Sequence, residues 1–190
     1  MQIVLGISGA SGTVLAKRAI EVLSIKHKLF VVATDNGEKV FENENKISLY
    51  DFLRKCKNVV KFSNSNLFAP IASGSFQIDS MIILPCSCAT VGKIANSCGG
   101  GLLCRTAEVF LKERRPLTIC VRETPMSTPT LKNLAKLSSY GATVSPLCPQ
   151  FYCGTETVTQ LLDNMLGRIL LSANIENNLY QKWGNLYEKN

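Results

Sequence analysis

Short apolar runs alternate with amphipathic stretches of helix length along the chain. The first run, QIVLGI at residues 2–7, predicts a strand, and 13–25 has the three-and-four spacing of an amphipathic helix. KLFVVAT at 28–34 predicts a second strand, followed by helical segments at 36–44 and 48–55 and a short strand at 59–63. Residues 63–76, rich in Ser, Asn, Pro and Gly, read as a loop. Beyond it the pattern predicts a strand at 80–86, helices at 88–97 and 102–114 separated by a glycine triplet at 99–101, and a strand at 117–121. A helix at 129–139, a strand at 141–147 and a long helix at 155–173 follow, then a polar tail at 176–190 with a short helical stretch holding Trp183.

This alternation predicts an α/β fold, a parallel sheet with helices on both faces. Ligands of such sheets sit beyond the carboxyl ends of the strands. The apolar strand 117–121 is left by Arg122 and Glu123, so this cation and carboxylate stand where a ligand is expected. No repeat or linker interrupts the chain, and its 190 residues, 46% hydrophobic, suit one domain spanning 1–190.

Composition narrows the function classes. No apolar run approaches the ~20 residues of a membrane span. The N-terminus starts directly as a strand, without a signal-peptide pattern, which reads as cytoplasmic. The net charge of +7 permits nucleic-acid binding without demanding it, but the basic residues are dispersed and lack interleaved aromatics, and such a balance equally serves small anionic ligands. Eight cysteines include Cys86, Cys120 and Cys148 in apolar segments, and these read as reduced structural thiols. The Cys86-x-Cys88 spacing matches no zinc or thioredoxin pattern, and His27 is the sole histidine, so no metal site and no Ser-His or Cys-His dyad is expected.

Four constellations carry candidate chemistry. GISGASG, Gly6 to Gly12, joins the first strand to a helix whose N-terminal N–H groups suit an anion; the alternative is a tight turn with Ser11 as N-cap. Asp35, past the second strand, reads as a ribose-binding acid or as a helix cap. PCSCAT (85–90) places Ser87 and Thr90 at another strand end, as ligand-binding hydroxyls or as N-caps. On the helix 102–114, Arg105 and Lys112 are seven residues apart and share a face at ~100° per residue; Glu108 lies nearby, so a surface salt-bridge ladder is the other reading. Arg168 extends the line of Leu161 and Met165, which predicts an inward cation that meets an anion, with Tyr152 just ahead of its helix. Arg105, Lys112, Arg122 and Arg168 then form the cations, and Glu123 and Glu44 the proton carriers.

GISGASG, ASGSF (72–76), ILPCS, LKERRPL, VRETP, the Phe151–Tyr152 pair, Arg168 and Trp183 resemble the UbiX-type flavin prenyltransferase family in order and spacing. The resemblance implies a single-domain, Rossmann-like (flavodoxin-like) flavoprotein. It implies a homo-oligomer, a dodecamer, with active sites between subunits and the tail from about 174 packing on a neighbour. The implied reaction attaches a dimethylallyl group from dimethylallyl phosphate to N5 and C6 of reduced FMN, without a metal, and the prenylated FMN passes to a UbiD-type decarboxylase.

By the same resemblance, Gly9, Ala10, Ser11 and Thr34 line the flavin, with Ser87, Cys88, Ala89, Thr90 and Arg122 completing its site. Lys112, Tyr152, Arg168 and Arg105 hold the donor phosphate, and Ser73, Gly74 and Ser75 border the prenyl pocket. Glu123 gives a proton to the departing phosphate, a role that suits an acid beside an anion. Glu44 and Ser11 manage the proton at flavin N5 or C6. The chain departs from the family pattern at Cys153, where His is common, at Leu67, where some members carry an aromatic residue, and at Thr34, where Ser is common. Two other functions fit less well: a flavoprotein decarboxylase of cysteine-derived carboxylates, which uses a His near the first helix that is missing here, and a non-catalytic flavin carrier, which has no need of Lys112, Glu123, Tyr152 and Arg168 together.

Overall fold

The structure, a computed structural model, describes residues 1–180. Its strands are β1 (Gln2–Ile7), β2 (Lys28–Ala33), β3 (Val59–Ser63), β4 (Ser80–Cys86), β5 (Leu117–Val121) and β6 (Thr143–Val144). They form one parallel sheet in the order β3-β2-β1-β4-β5-β6. The helices are α1 (Thr13–Leu23), α2 (Asp35–Asn45), α3 (Leu49–Leu53), α4 (Cys88–Ala95), α5 (Leu102–Lys112), α6 (Thr128–Ser139) and α7 (Val158–Ser172).

Alternate side chains of each strand fill two cores, as the pleat requires. Ile3, Leu5 and Ile7 of β1 pack with α1, α2, α3 and α7 on one face. Val4 of β1, with Ile83 of β4 and Ile119 of β5, packs with α4 and α5 on the other. The chain leaves β1 towards β2 and β3, then returns to place β4 on the opposite flank of β1. That reversal opens a crevice at the carboxyl ends of β1 and β4, where open α/β sheets hold ligands.

The elements match the sequence pattern, with two local differences. The last long helix begins at Val158 rather than 155, because Thr157 and Gln160 form a reciprocal capping box. The predicted strand 141–147 is reduced to Thr143–Val144. The Ser145 and Leu147 N–H groups still donate to Ile119 O and Val121 O, so the chain follows β5 to its end. Residues 174–177 turn back onto α7 of the same chain, where Asn177 Nδ2 donates to Gly167 O at 3.0 Å; Trp183 lies outside the described residues.

All eight cysteines are free thiols. Burial pushes Cys86 well up and Cys104 up to about 11, as expected of structural thiols. Cys148 departs from that expectation: it is exposed, in the irregular segment after β6.

Candidate active site

Four strand ends meet at the carboxyl edge. The turn after β1 is tight: Gly12 has φ 105°, a left-handed conformation that favours glycine. A Cβ on Gly9 would lie 2.7 Å from Asn36 Cβ at the start of α2, so only glycine lets the two turns touch. Thr34 caps α2 by accepting the Gly37 N–H at 3.0 Å, which leaves its own hydroxyl proton for another acceptor. Asp35 is the first residue of that helix, beside its cap.

The N-terminus of α1 corrects one expectation. Its N-cap is Gly12, not Ser11, and no side chain of the turn caps it. Glu44, from the last turn of α2, takes that place. Its carboxylate accepts from Gly12 N at 3.1 Å, Thr13 N at 2.7 Å and Thr13 Oγ1 at 2.6 Å. The anion expected at this helix end is therefore the protein's own. Burial pushes the Glu44 carboxyl up, but hydrogen bonds from Ser11, Thr13 and the Gly12 and Thr13 N–H groups outweigh it and hold the group below its ordinary value.

The ends of β4 and β5 complete this edge. Ser87 caps α4 by accepting from Thr90 N at 3.3 Å and donates to Thr90 Oγ1 at 3.1 Å. The Ser87 N–H reaches back to Ser8 Oγ at 2.8 Å, locking the β4 turn to the β1 turn. Arg122 Nε donates to Ser11 O at 3.4 Å, bringing the first residue after β5 to the β1 turn. Glu123 accepts from Cys88 Sγ at 3.7 Å and from Thr124 N at 3.0 Å.

A second cluster lies at the opposite edge. Helix α5 starts beside the end of β3, where Leu102 N donates to Asn64 O, and runs back to the start of β5. Lys112 pairs with Glu113. Arg115 donates to Gly74 O at 2.6 Å and Phe76 O at 2.9 Å, and Arg105 Nε to Ala72 O at 3.2 Å. Ser73 and Ser75 hydrogen-bond to each other at 2.9 Å. Arg105, Lys112, Arg114, Arg115 and Tyr140 line an open cleft of about 1020 Å³ there. The salt-bridge reading of α5 holds only for Arg105 and Glu108, at 3.9 Å, because Lys112 turns to Glu113.

The expected set of cations is thus divided within one chain. Lys112 precedes β5 and Arg122 follows it, and a five-residue strand is about 17 Å long. Arg168 is also corrected: it is exposed, over the Tyr180 ring at 5.6 Å. The buried stripe of α7 follows Met165, Leu166, Ile169 and Leu170 rather than Leu161, which turns Arg168 to solvent. Tyr152 sits, partly exposed, in a 3-10 turn ahead of α7.

Comparison with known proteins gives this geometry a lineage. The Flavoprotein family model matches residues 1–170. The flavin prenyltransferase UbiX of Helicobacter pylori J99 is 42% identical over 185 residues, covering 97% of this chain and 99% of that protein. The chain belongs to the UbiX-type flavin prenyltransferase family. A crystal structure of AnUbiX (PadA1) in complex with FMN and dimethylallyl pyrophosphate superposes with TM-score 0.90 at 30% identity, covering 97% of each chain. A dodecameric FMN-dependent UbiX-like decarboxylase from Escherichia coli O157:H7 superposes with TM-score 0.91 at 30% identity, covering 97% of this chain and all of the other.

The carboxyl edge fits the flavin that family membership implies. Four turns from separate strands converge there, the Thr34 hydroxyl has a proton to give, and α4 begins at the edge with the Cys88 and Ala89 N–H groups that no helix pairs internally. Arg122 adds a cation beside the Gly9–Ser11 turn. The N-terminus of α1 does not contribute, because Glu44 occupies it. Neither Thr13, which donates to Glu44, nor Asn45, which donates to Thr13, was flagged in the sequence. Thr13 is next to the glycine turn in sequence, but Asn45 is 32 residues away from Thr13 and gave no signal.

Proposed function

We propose that the chain is a flavin prenyltransferase that transfers a dimethylallyl group from dimethylallyl phosphate to N5 and C6 of reduced FMN. The carrying observation is the meeting of Arg122 with the Ser11 turn and of Glu123 with Cys88, in a chain that aligns over nearly its full length with UbiX proteins. The reduced flavin supplies an electron-rich ring whose face suits an allyl cation.

Gly9, Ala10, Ser11, Thr34, the 87–90 turn and Arg122 bind and orient that ring. Glu123 gives a proton to the departing phosphate as the donor's C–O bond breaks. Lys112 and Arg105 stabilise the charge developing on that phosphate, with Tyr152 and Arg168 as further donors, and the 73–75 loop borders the prenyl chain. Glu44, held as a carboxylate, accepts the proton released when the ring closes at C6; Ser11 passes it on by giving its hydroxyl proton to Glu44 while taking the ring's.

Because β5 separates Lys112 from Glu123, the working site joins the carboxyl edge of one protomer to the amino edge of another. A homo-oligomer is therefore part of the reading, and a dodecamer has a precedent in the E. coli relative. Eight free thiols suit the cytoplasm. The product serves a UbiD-type decarboxylase. The deciding experiment incubates the protein anaerobically with reduced FMN and dimethylallyl phosphate and weighs the flavin. A gain of one five-carbon unit supports the transferase; bound flavin that returns unchanged overturns it.

A further inference from the structure

We propose that Thr13 and Asn45 are positioning residues for Glu44, a two-step hydrogen-bond relay that keeps its carboxylate ionised and fixed beside Ser11. The consequence for catalysis rests on the proton-accepting role proposed above for Glu44; the relay itself stands on geometry.

Asn45 Nδ2 donates to Thr13 Oγ1 at 3.2 Å and to Phe41 O at 2.9 Å. An amide nitrogen only donates, so the Thr13 oxygen must accept there, and its single proton points the other way, to Glu44 Oε2 at 2.6 Å. A hydroxyl bound this closely to a carboxylate makes a charge-assisted bond, stronger than a neutral one. The Phe41 carbonyl accepts from the same amide and anchors Asn45 to its own helix, so donation has a fixed direction, from Asn45 to Thr13 to Glu44.

Burial makes the arrangement consequential. Thr13 is 0% exposed, so water cannot replace its hydroxyl when it is lost. The Thr13 N–H adds a bond at 2.7 Å to the same oxygen, and the positive end of α1 favours the ionised form. Among the described residues no ion pair reaches Glu44. Lys17 and Arg18 on α1 are engaged by Glu21 and Asp163, Asp51 on α3 takes the Ser48 hydroxyl, and Arg122 reaches Ser11 O. The carboxylate therefore depends on neutral donors, and Thr13 supplies two of them.

The test uses full-length oligomer carrying Thr13→Val, Thr13→Ser or Asn45→Ala. Isotope-edited infrared difference spectra against the matching Glu44→Gln proteins, recorded without flavin, give the protonation midpoint of Glu44. Thr13→Val is expected to move that midpoint up by about one pH unit, about a tenfold loss of carboxylate on the acid side. Thr13→Ser restores it, and Asn45→Ala moves it upward by less, since a freed Thr13 hydroxyl turns away part of the time. A folded Thr13→Val protein with an unchanged midpoint overturns the relay. If Thr13→Val does not fold, an unmoved midpoint in Asn45→Ala overturns it. Single-turnover prenylation then separates the two claims. If the acid limb of its pH profile moves with the infrared midpoint, both stand. If the midpoint moves and the limb does not, the relay is upheld and Glu44 is removed from the proposed reaction.

Discussion

The Cys88 thiol reaches the Glu123 carboxylate across 3.7 Å while the Thr124 N–H holds its other oxygen at 3.0 Å, so both oxygens of the proposed acid are tethered. Glu123→Gln is expected to lower single-turnover prenylation at least a hundredfold, the scale of lost general acid catalysis, while FMN binding stays within a few fold. Equal losses in both would remove Glu123 from its role. Cys88→Ala, which frees one oxygen, should cost about 2- to 10-fold in kcat, the worth of one weak hydrogen bond, and Cys88→Ser should recover most of it.

The length of β5 separates Lys112 from Glu123, and this bears on mixed assemblies. Lys112→Ala and Glu123→Gln homo-oligomers are each expected to be nearly inactive. Dissociated together and reassembled, they should regain activity, because some sites then draw Lys112 and Glu123 from two intact halves. Activity that stays at the level of the separate variants would mean that one subunit supplies both groups.

Glu44 predicts an acid-labile element. Its carboxyl is held below its ordinary value in the folded protein, so its contribution is present at pH values above the unfolded group's titration. It is lost as pH falls through the lower, folded value. Urea unfolding followed from pH 7 downward should show a wild-type stability that drops by about 1 kcal/mol more than that of Glu44→Gln, after allowance for solvent screening. Parallel pH curves for the two proteins would contradict the hydrogen-bonded carboxylate.

Arg168 is exposed over the Tyr180 ring and supports no core packing. Arg168→Ala should therefore leave the urea midpoint within about 0.5 kcal/mol of wild type. The KM for dimethylallyl phosphate should rise about tenfold or more, with FMN affinity unchanged, as loss of a phosphate contact requires. An unaltered KM would exclude Arg168 from the donor site.

Most of the architecture was readable from apolar periodicity, because strands such as 117–121, whose single polar position is Thr118, are buried on both faces. The placement of Arg122 and Glu123 followed from that strand and the parallel topology alone. Arg168 lies on the line through Leu161 and Met165, but Leu161 is only half-buried and the stripe is completed by Leu166, Ile169 and Leu170 instead. The start of α7 was legible in Thr157-x-x-Gln160 yet lay within an otherwise helical pattern. The capping of α1 by Glu44 was not legible as geometry. A glycine-rich turn advertises free N–H groups, and nothing local shows that a carboxylate 32 residues on will claim them. Nor does charge counting reveal that Lys112 and Arg122 flank one strand at opposite ends.

With Lys112 ahead of β5 and Glu123 beyond it, the proposed shared site makes each subunit a link with two unlike couplings. On that proposal closed assemblies satisfy every coupling and any open fragment strands a pair at its margins, so wherever subunits dissociate, specific activity should fall with dilution faster than flavin is released.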